Sequence, residues 1–400
     1  MTVAMHDPVE RFAAPPVVGR LQTTALVVGL VAAVVCVVGW VVDADQFFFS
    51  WLLGCILWLG LSLGALALTM IHSLTGGVWG VPARRVLEAA AGVLPLLFVL
   101  CLPLLAGIEA LYPWAGPAMD DNPILAHKQP YLNAPFFIGR FFVYFAVWIG
   151  LAWWLRRLSL RQDRTGDPMV LKSMAKVGAP GLVVWAFLVT FAYFDWLMSL
   201  EPLWFSTIYG VYFFGGAGIS ALAFLVLATV WLARAEPMRS ALAPRHLHDW
   251  GKLLFAFIML WGYFAFSQFL ITWSGNLPEE IEWYLHRTDG GWRLVTVLLV
   301  LFHFAVPFAL LLSRDLKKHA RRLSWMAAFL LFMRWVDYLW QIAPSHHHEL
   351  AVHWLDVAAP VAVGGLWLAA FAWLLRRHPI LPPRDPYLLE SIGEEPHHDH

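Results

Sequence analysis

Ten mostly apolar runs, each about 20 residues or longer, follow one another along this chain of 400 residues. Each is long enough to cross a hydrocarbon core of roughly 30 Å at about 1.5 Å per residue. They fall near 23–42, 47–72, 84–106, 135–157, 178–200, 206–233, 249–273, 291–313, 323–343 and 354–375. A water-soluble fold has no interior large enough for so much apolar surface. The composition agrees, with 60% hydrophobic residues, 14% charged residues and 23 Trp. Lipid offers the backbone no hydrogen bonds, so each run must satisfy its own as a helix. The expected fold class is therefore all-α, a polytopic membrane protein with ten transmembrane helices. A membrane domain over 23–375 lies between an N-terminal segment, 1–22, and a C-terminal tail, 376–400.

No cleavable signal peptide is expected. The first 22 residues are polar and contain Ala14-Pro15-Pro16, and the apolar run after them continues past Val42 without a small-residue cleavage pattern. The basic residues set the orientation. With the N-terminus cytoplasmic, 22 of the 27 lysines and arginines fall on the cytoplasmic side. Lys128, Arg287 and Arg293 lie outside, and Arg140 and Arg334 lie within spans. Both termini are then cytoplasmic, and the number of spans is even.

A formal net charge of zero gives no argument for nucleic acid as a partner. Cys36, Cys55 and Cys101 all sit in apolar runs without metal-ligand or redox spacing, so no metal site is expected. The outer loops are aromatic and acidic, with Asp120-Asp121 in one, Glu279, Glu280 and Glu282 in the next, and His346 to His348 in the last. Such loops suit the docking of other proteins. The Pro-rich tail reads as an extended arm over the cytoplasmic face, ending in His397, His398 and His400.

Ionisable groups at membrane depth cost a few kcal/mol each and are functional candidates by default. His72 and Glu88 lie toward the cytoplasmic side, Asp195 and Asp337 toward the outside, and His303 and Arg334 near mid-depth. Arg334, Asp337, Tyr338 and Gln341 form one stripe at i, i+3, i+4 and i+7, and Arg334 can pair with Asp337. The proton-pathway candidates are His72, Glu88, Asp195, His303, Arg334, Asp337 and Tyr338. They divide into an inner and an outer set, the pattern expected of two half-channels or of polar contacts between helices. Asp195 shares a helical face with Phe191, Phe194 and Met198, so it is expected among apolar neighbours. A quinone headgroup needs an acid or histidine with a tyrosine near one face. Asp195, Tyr209, Tyr263 and Gln268 are the candidate contacts. His303 has no second histidine at matching depth, so haem is not expected on this chain.

The stretch FDWLMSLEPLWFSTIYGVYFF, residues 194–214, resembles a signature of alternative complex III, the bacterial quinol:cytochrome c oxidoreductase. The similarity is to the second of its two large polysulfide-reductase-like membrane subunits, the quinone-binding subunit 2 type. Residues 248–287 (HDWGKLLFAFIMLWGYFAFSQFLITWSGNLPEEIEWYLHR) and 303–318 (HFAVPFALLLSRDLKK) agree. The resemblance covers roughly residues 45–375. It implies two four-helix bundles, spans 2–5 and 6–9, flanked by spans 1 and 10. It implies a paralogous membrane subunit, an iron–sulfur subunit and multihaem cytochrome subunits as partners, besides lipids. Haems and iron–sulfur clusters would reside in those partners, with menaquinol or a similar quinone as substrate and no redox cofactor on this chain. The expected role is a membrane subunit that scaffolds partners and conducts protons. The alternatives are a direct quinol-binding subunit and a proton-coupled secondary transporter.

Overall fold

The structure is a computed structural model that describes residues 12–116 and 123–392. Asp120, Asp121, His397, His398 and His400 lie outside the described residues. Ten long helices carry the architecture: α1 (Val17–Val42), α2 (Ala44–Thr75), α3 (Arg84–Ala106), α4 (Ala134–Thr165), α5 (Pro168–Trp196), α6 (Tyr209–Leu232), α7 (Pro244–Gly275), α8 (Trp292–Leu311), α9 (Ala320–Ile342) and α10 (Leu355–Arg376). No strand occurs among the described residues. Nine of these helices are long and apolar enough to cross a membrane, which makes the chain a multi-pass membrane protein. The helix outside that set is α9, whose apolar run is interrupted by Arg334, Asp337 and Gln341.

Helices that are apolar around their whole circumference must be buried or face lipid. α2 and α6 take the first course, with 89% and 83% of their most apolar windows buried. α2 lies against α5, α6 and α10, and α6 lies against α7 and α9. α1 takes the second course. It packs along α10, where Gly29 meets Gly365 backbone to backbone, and leaves most of its valines exposed. Glycines also set the approach of the two central helices. A methyl group at Gly64 would fall on the Ala217 carbonyl oxygen, so α2 and α6 are in backbone contact there.

Prolines account for the breaks. α3 is divided into Arg84–Ala91, Leu94–Cys101 and Pro103–Ala106, with Pro95 and Pro103 each in the first turn of a new piece. Pro360 inside α10 cannot donate to the carbonyl of Asp356. The Trp335 indole donates to that carbonyl instead, at 2.9 Å. In α8, residues Leu299–Ala305 form a π-helical turn directly before Pro307, and this wide turn carries His303.

One end of the helix assembly carries the corner between α5 and α6, residues 197–208. The opposite end carries the C-terminal segment. Its described part, 377–392, is packed rather than extended over a surface, which corrects the expected arm there. Ile380 and Leu381 are buried, Ile380 N–H donates to Phe12 O at 2.8 Å, and Asp385 pairs with Arg84 of α3 at 2.8 Å. Near its end, Ser391 lies 3.3 Å from His246 of α7. The segment therefore straps α3 to α7.

Candidate functional site

The polar stripe on α9 faces α6 and α7. Asp337 Oδ1 accepts from Tyr212 of α6 at 2.6 Å, and Oδ2 accepts from the Trp261 indole of α7 at 3.2 Å. Arg334, about one turn deeper, donates to the same carboxylate and stacks on Tyr338, 4.3 Å from its ring centroid. Arg334 is 1% exposed and Asp337 is 0% exposed. Space for the guanidinium comes from Gly216 of α6, where any Cβ would overlap it.

From Asp337 the array continues toward the corner. One turn along α9, the side-chain oxygen of Gln341 accepts from Tyr193 of α5 and, at 3.3 Å, from Tyr209 of α6. The Gln341 carbonyl accepts from Arg287 at 2.7 Å, and Arg287 also donates to Glu201 at 2.7 Å. His286 Nδ1 lies 3.1 Å from the other Glu201 oxygen. The positions from Glu201 to Arg334 thus join the protein's corner face to its interior. The α9 part alone, 334–341, rises roughly 10 Å.

Several enclosed polar atoms here meet no close hydrogen-bond partner among the described residues: Arg334 Nε, Tyr338 Oη, Gln341 Nε2 and both ring nitrogens of His303. His303 is fully buried on the π-helical turn, with its ring centroid 4.2 Å from that of Trp261 and the Met333 backbone close by. Atoms of this kind also occur away from the array, at Arg85 Nε, Trp148 Nε1 and Asp163 Oδ1 among others, so they accompany the array rather than define it.

A cleft of about 600 Å³ borders this array between α7 and α8. Its walls include Trp261, Tyr263, Phe266, Gln268, Phe269, Trp283, Phe304 and Trp340, and Tyr209 and Tyr212 reach it from α6. Tyr263 and Phe266 are 63% and 60% exposed, so the cleft opens sideways on the apolar surface. Gln268 is held at its inner side by Ser206 and Thr272.

The candidate residues therefore fall into four places. Arg334, Asp337, Tyr338 and His303 gather in the array, and Tyr209, Tyr263 and Gln268 line the cleft. Asp195 belongs elsewhere, and its expected surroundings are corrected. It is 1% exposed but not among apolar neighbours: Arg140 of α4 grips both its oxygens at 2.7 and 2.9 Å, and Tyr144 donates at 2.6 Å. Its partners are Arg140 and Tyr144, not Tyr209 or Tyr263.

His72 and Glu88 lie at the opposite end of the assembly. Glu88 is buried between Arg84, at 3.2 Å, and Arg85, while both arginines donate to Ser159 and Arg85 also pairs with Asp163. His72 Nε2 lies 3.3 Å from Gly77 O, beside Trp79. His378, just past α10, faces Arg156, Arg85 and Arg377; burial, aided by those charges, pushes its imidazole down to about 4.

Sequence reasoning missed Arg140 as the partner of Asp195. The signal was present: once Arg334 is paired with Asp337, Arg140 and Asp195 are the remaining opposite charges within spans on the same side. It also left Arg287 as a loop charge, although the residue is 1% exposed and ties two elements together. Asp356 was missed too. Ser50 donates to it at 2.6 Å, Gln46 at 3.2 Å and the His353 N–H at 2.9 Å.

No family model and no curated protein matches the chain.

Proposed function

We propose that the chain is a membrane subunit of a respiratory or photosynthetic quinol:acceptor oxidoreductase of the alternative complex III kind, scaffolding its partners and moving protons through its buried polar groups. The observation that carries the proton role is the array from Glu201 to Arg334, a run of ionisable and phenolic groups reaching from one face into an otherwise apolar interior. In this reading α9 is the tenth spanning helix, and α2–α5 and α6–α9 are the two four-helix units, flanked by α1 and α10. The packing of α4 on α5, and of α6 on α7 and α9, supports that division. With the orientation read from the basic loops, the array opens toward the outside and the Arg84–Glu88–Asp163 cluster toward the cytoplasm. The outer end would meet the iron–sulfur and multihaem partners.

A second reading, direct quinol binding by this chain, is favoured by the cleft. Its volume and aromatic walls fit a planar ring with an apolar tail, and its polar lining includes Tyr209, Tyr212, Tyr263 and Gln268. Those side chains would hold the ring's oxygens, and Tyr212 would connect them to Asp337. A bound quinol would supply the two protons that such a route carries.

One isolation tests both readings. Purified from its native membrane in mild detergent, the chain brings haem and iron in fixed ratio to itself. Quinone accompanies the native chain and is lost from a Tyr209→Phe/Gln268→Leu variant if the cleft is its site. A chain that purifies alone, without haem or iron, points to the transporter reading instead. Quinone retained equally by the variant removes the cleft from the account while leaving the subunit role standing.

A further inference from the structure

At the tail-strap end of the assembly, α4 carries an unusual surface. Trp153, Arg157, Arg161 and Arg164 fall at i, i+4, i+8 and i+11, so they share one face over roughly 16 Å. Trp153 and its neighbour Trp154 are 60% and 52% exposed. Arg157 lies over the Trp153 ring, 5.3 Å from its centroid. With Arg156 beside them, these side chains border an open hollow of about 970 Å³ along α4.

Charge balance separates this stripe from the other basic segments. Beyond α8, Asp315 neutralises Arg322 and lies 3.1 Å from His319. At the start of α7, Asp249 takes Lys252 at 3.0 Å. On α4 the only acid within the stripe's length is Asp163, and it turns inward to Arg85. Arg157, Arg161 and Arg164 make no ion pair among the described residues. Lys172 and Lys176, exposed on the adjoining α5, add to the same field.

We propose that this stripe binds the headgroup of an anionic phospholipid. The guanidinium fork matches phosphate oxygens in pairs. Exposed tryptophans are residues of the membrane–water interface, and basic grooves beside them suit lipid phosphate. The occupant is a lipid rather than a soluble anion because the stripe is continuous with apolar surface. Further along α4, Phe142 and Val143 are 46% and 53% exposed, where acyl chains would lie. The inference needs only that α4 spans the membrane and is independent of the redox role.

The test uses the full chain in neutral detergent, titrated with phosphatidylglycerol or phosphatidylcholine and read by native mass spectrometry. Phosphatidylglycerol is retained in preference to phosphatidylcholine. Arg157→Gln and Arg161→Gln each weaken that retention about fivefold, and the triple variant with Arg164→Gln weakens it more than about twentyfold. An Arg314→Gln/Arg321→Gln control leaves it unchanged. The single variants keep the test decisive if the triple variant does not fold. Equal retention by the single variants and native protein overturns the proposal. So does displacement of the lipid by an equal concentration of inorganic phosphate, or loss in the variants of a bound protein or nucleic acid with lipid retention intact.

Discussion

An Asp337→Ala chain loses about 3–5 kcal/mol of stability, because the change leaves Arg334 buried without its counter-charge. The guanidinium has nowhere to go. Tyr338 covers one side of it and Gly216 lies against it, so it cannot swing to solvent or to another acid. Two further partners are stranded, since the Tyr212 hydroxyl and the Trp261 indole both donate to the missing carboxylate. Replacing both members of the pair, Arg334→Met with Asp337→Leu, recovers most of the loss, since removing a buried pair entirely is much less harmful than halving it. Thermal unfolding in detergent, followed by circular dichroism, measures both. An Asp337→Ala chain that melts with the native protein would mean that Arg334 is neutralised by something other than this contact.

The second large effect comes from a position with no side chain. Gly60 and Gly64 of α2 are four residues apart, and Gly64 faces Ala217 and Ala221 of α6. Valine at 64 would drive its branches into the backbone of Ala217, and backbone cannot move aside as a flexible side chain can. The two central helices must separate, with an expected loss of at least about 2 kcal/mol and exposure of apolar core. The matching change on α4, Gly139→Val, meets nothing within 4 Å and leaves stability nearly unchanged. Melting temperatures of the two variants should differ by several degrees in the same detergent. If they coincide, the contact between α2 and α6 is looser than the backbone approach at Ala217 requires.

The helices were legible in the sequence because lipid imposes one rule on every span, and hydropathy reports it directly. The expected depth of each ionisable group was read from the same runs. Spacing made partners legible along one helix, as with Arg334 and Asp337 three residues apart. Asp195 and Arg140 are 55 positions apart on different helices, and Arg84 and Asp385 are 301 apart. Periodicity carries no information on such pairs, which depend on how helices rotate against one another. Asp195 shows the consequence: its own helical face is apolar, and the charge that balances it comes from α4. The tail was misjudged for a related reason. Its prolines and charges suggest an exposed arm, whereas Asp385 and Ile380 dock it. The π-helical turn around His303 had no sequence signal beyond Pro307, and the cleft only its scattered polar contacts, Tyr209, Tyr263 and Gln268.

The proposed proton role rests on Asp337, the acid at the inner end of the array. The direct test is proton release per electron by the assembled complex in sealed vesicles, comparing native protein with an Asp337→Asn chain. Asparagine keeps the shape and an acceptor for Tyr212 but cannot carry a proton; because it also leaves Arg334 without its counter-charge, the two proteins are compared as assembled complexes at equal haem content. Haem content should stay at the native level, with proton release per electron clearly reduced. Native proton release and turnover in Asp337→Asn, repeated in His303→Ala, would contradict the claim and leave the array as helix-to-helix structure.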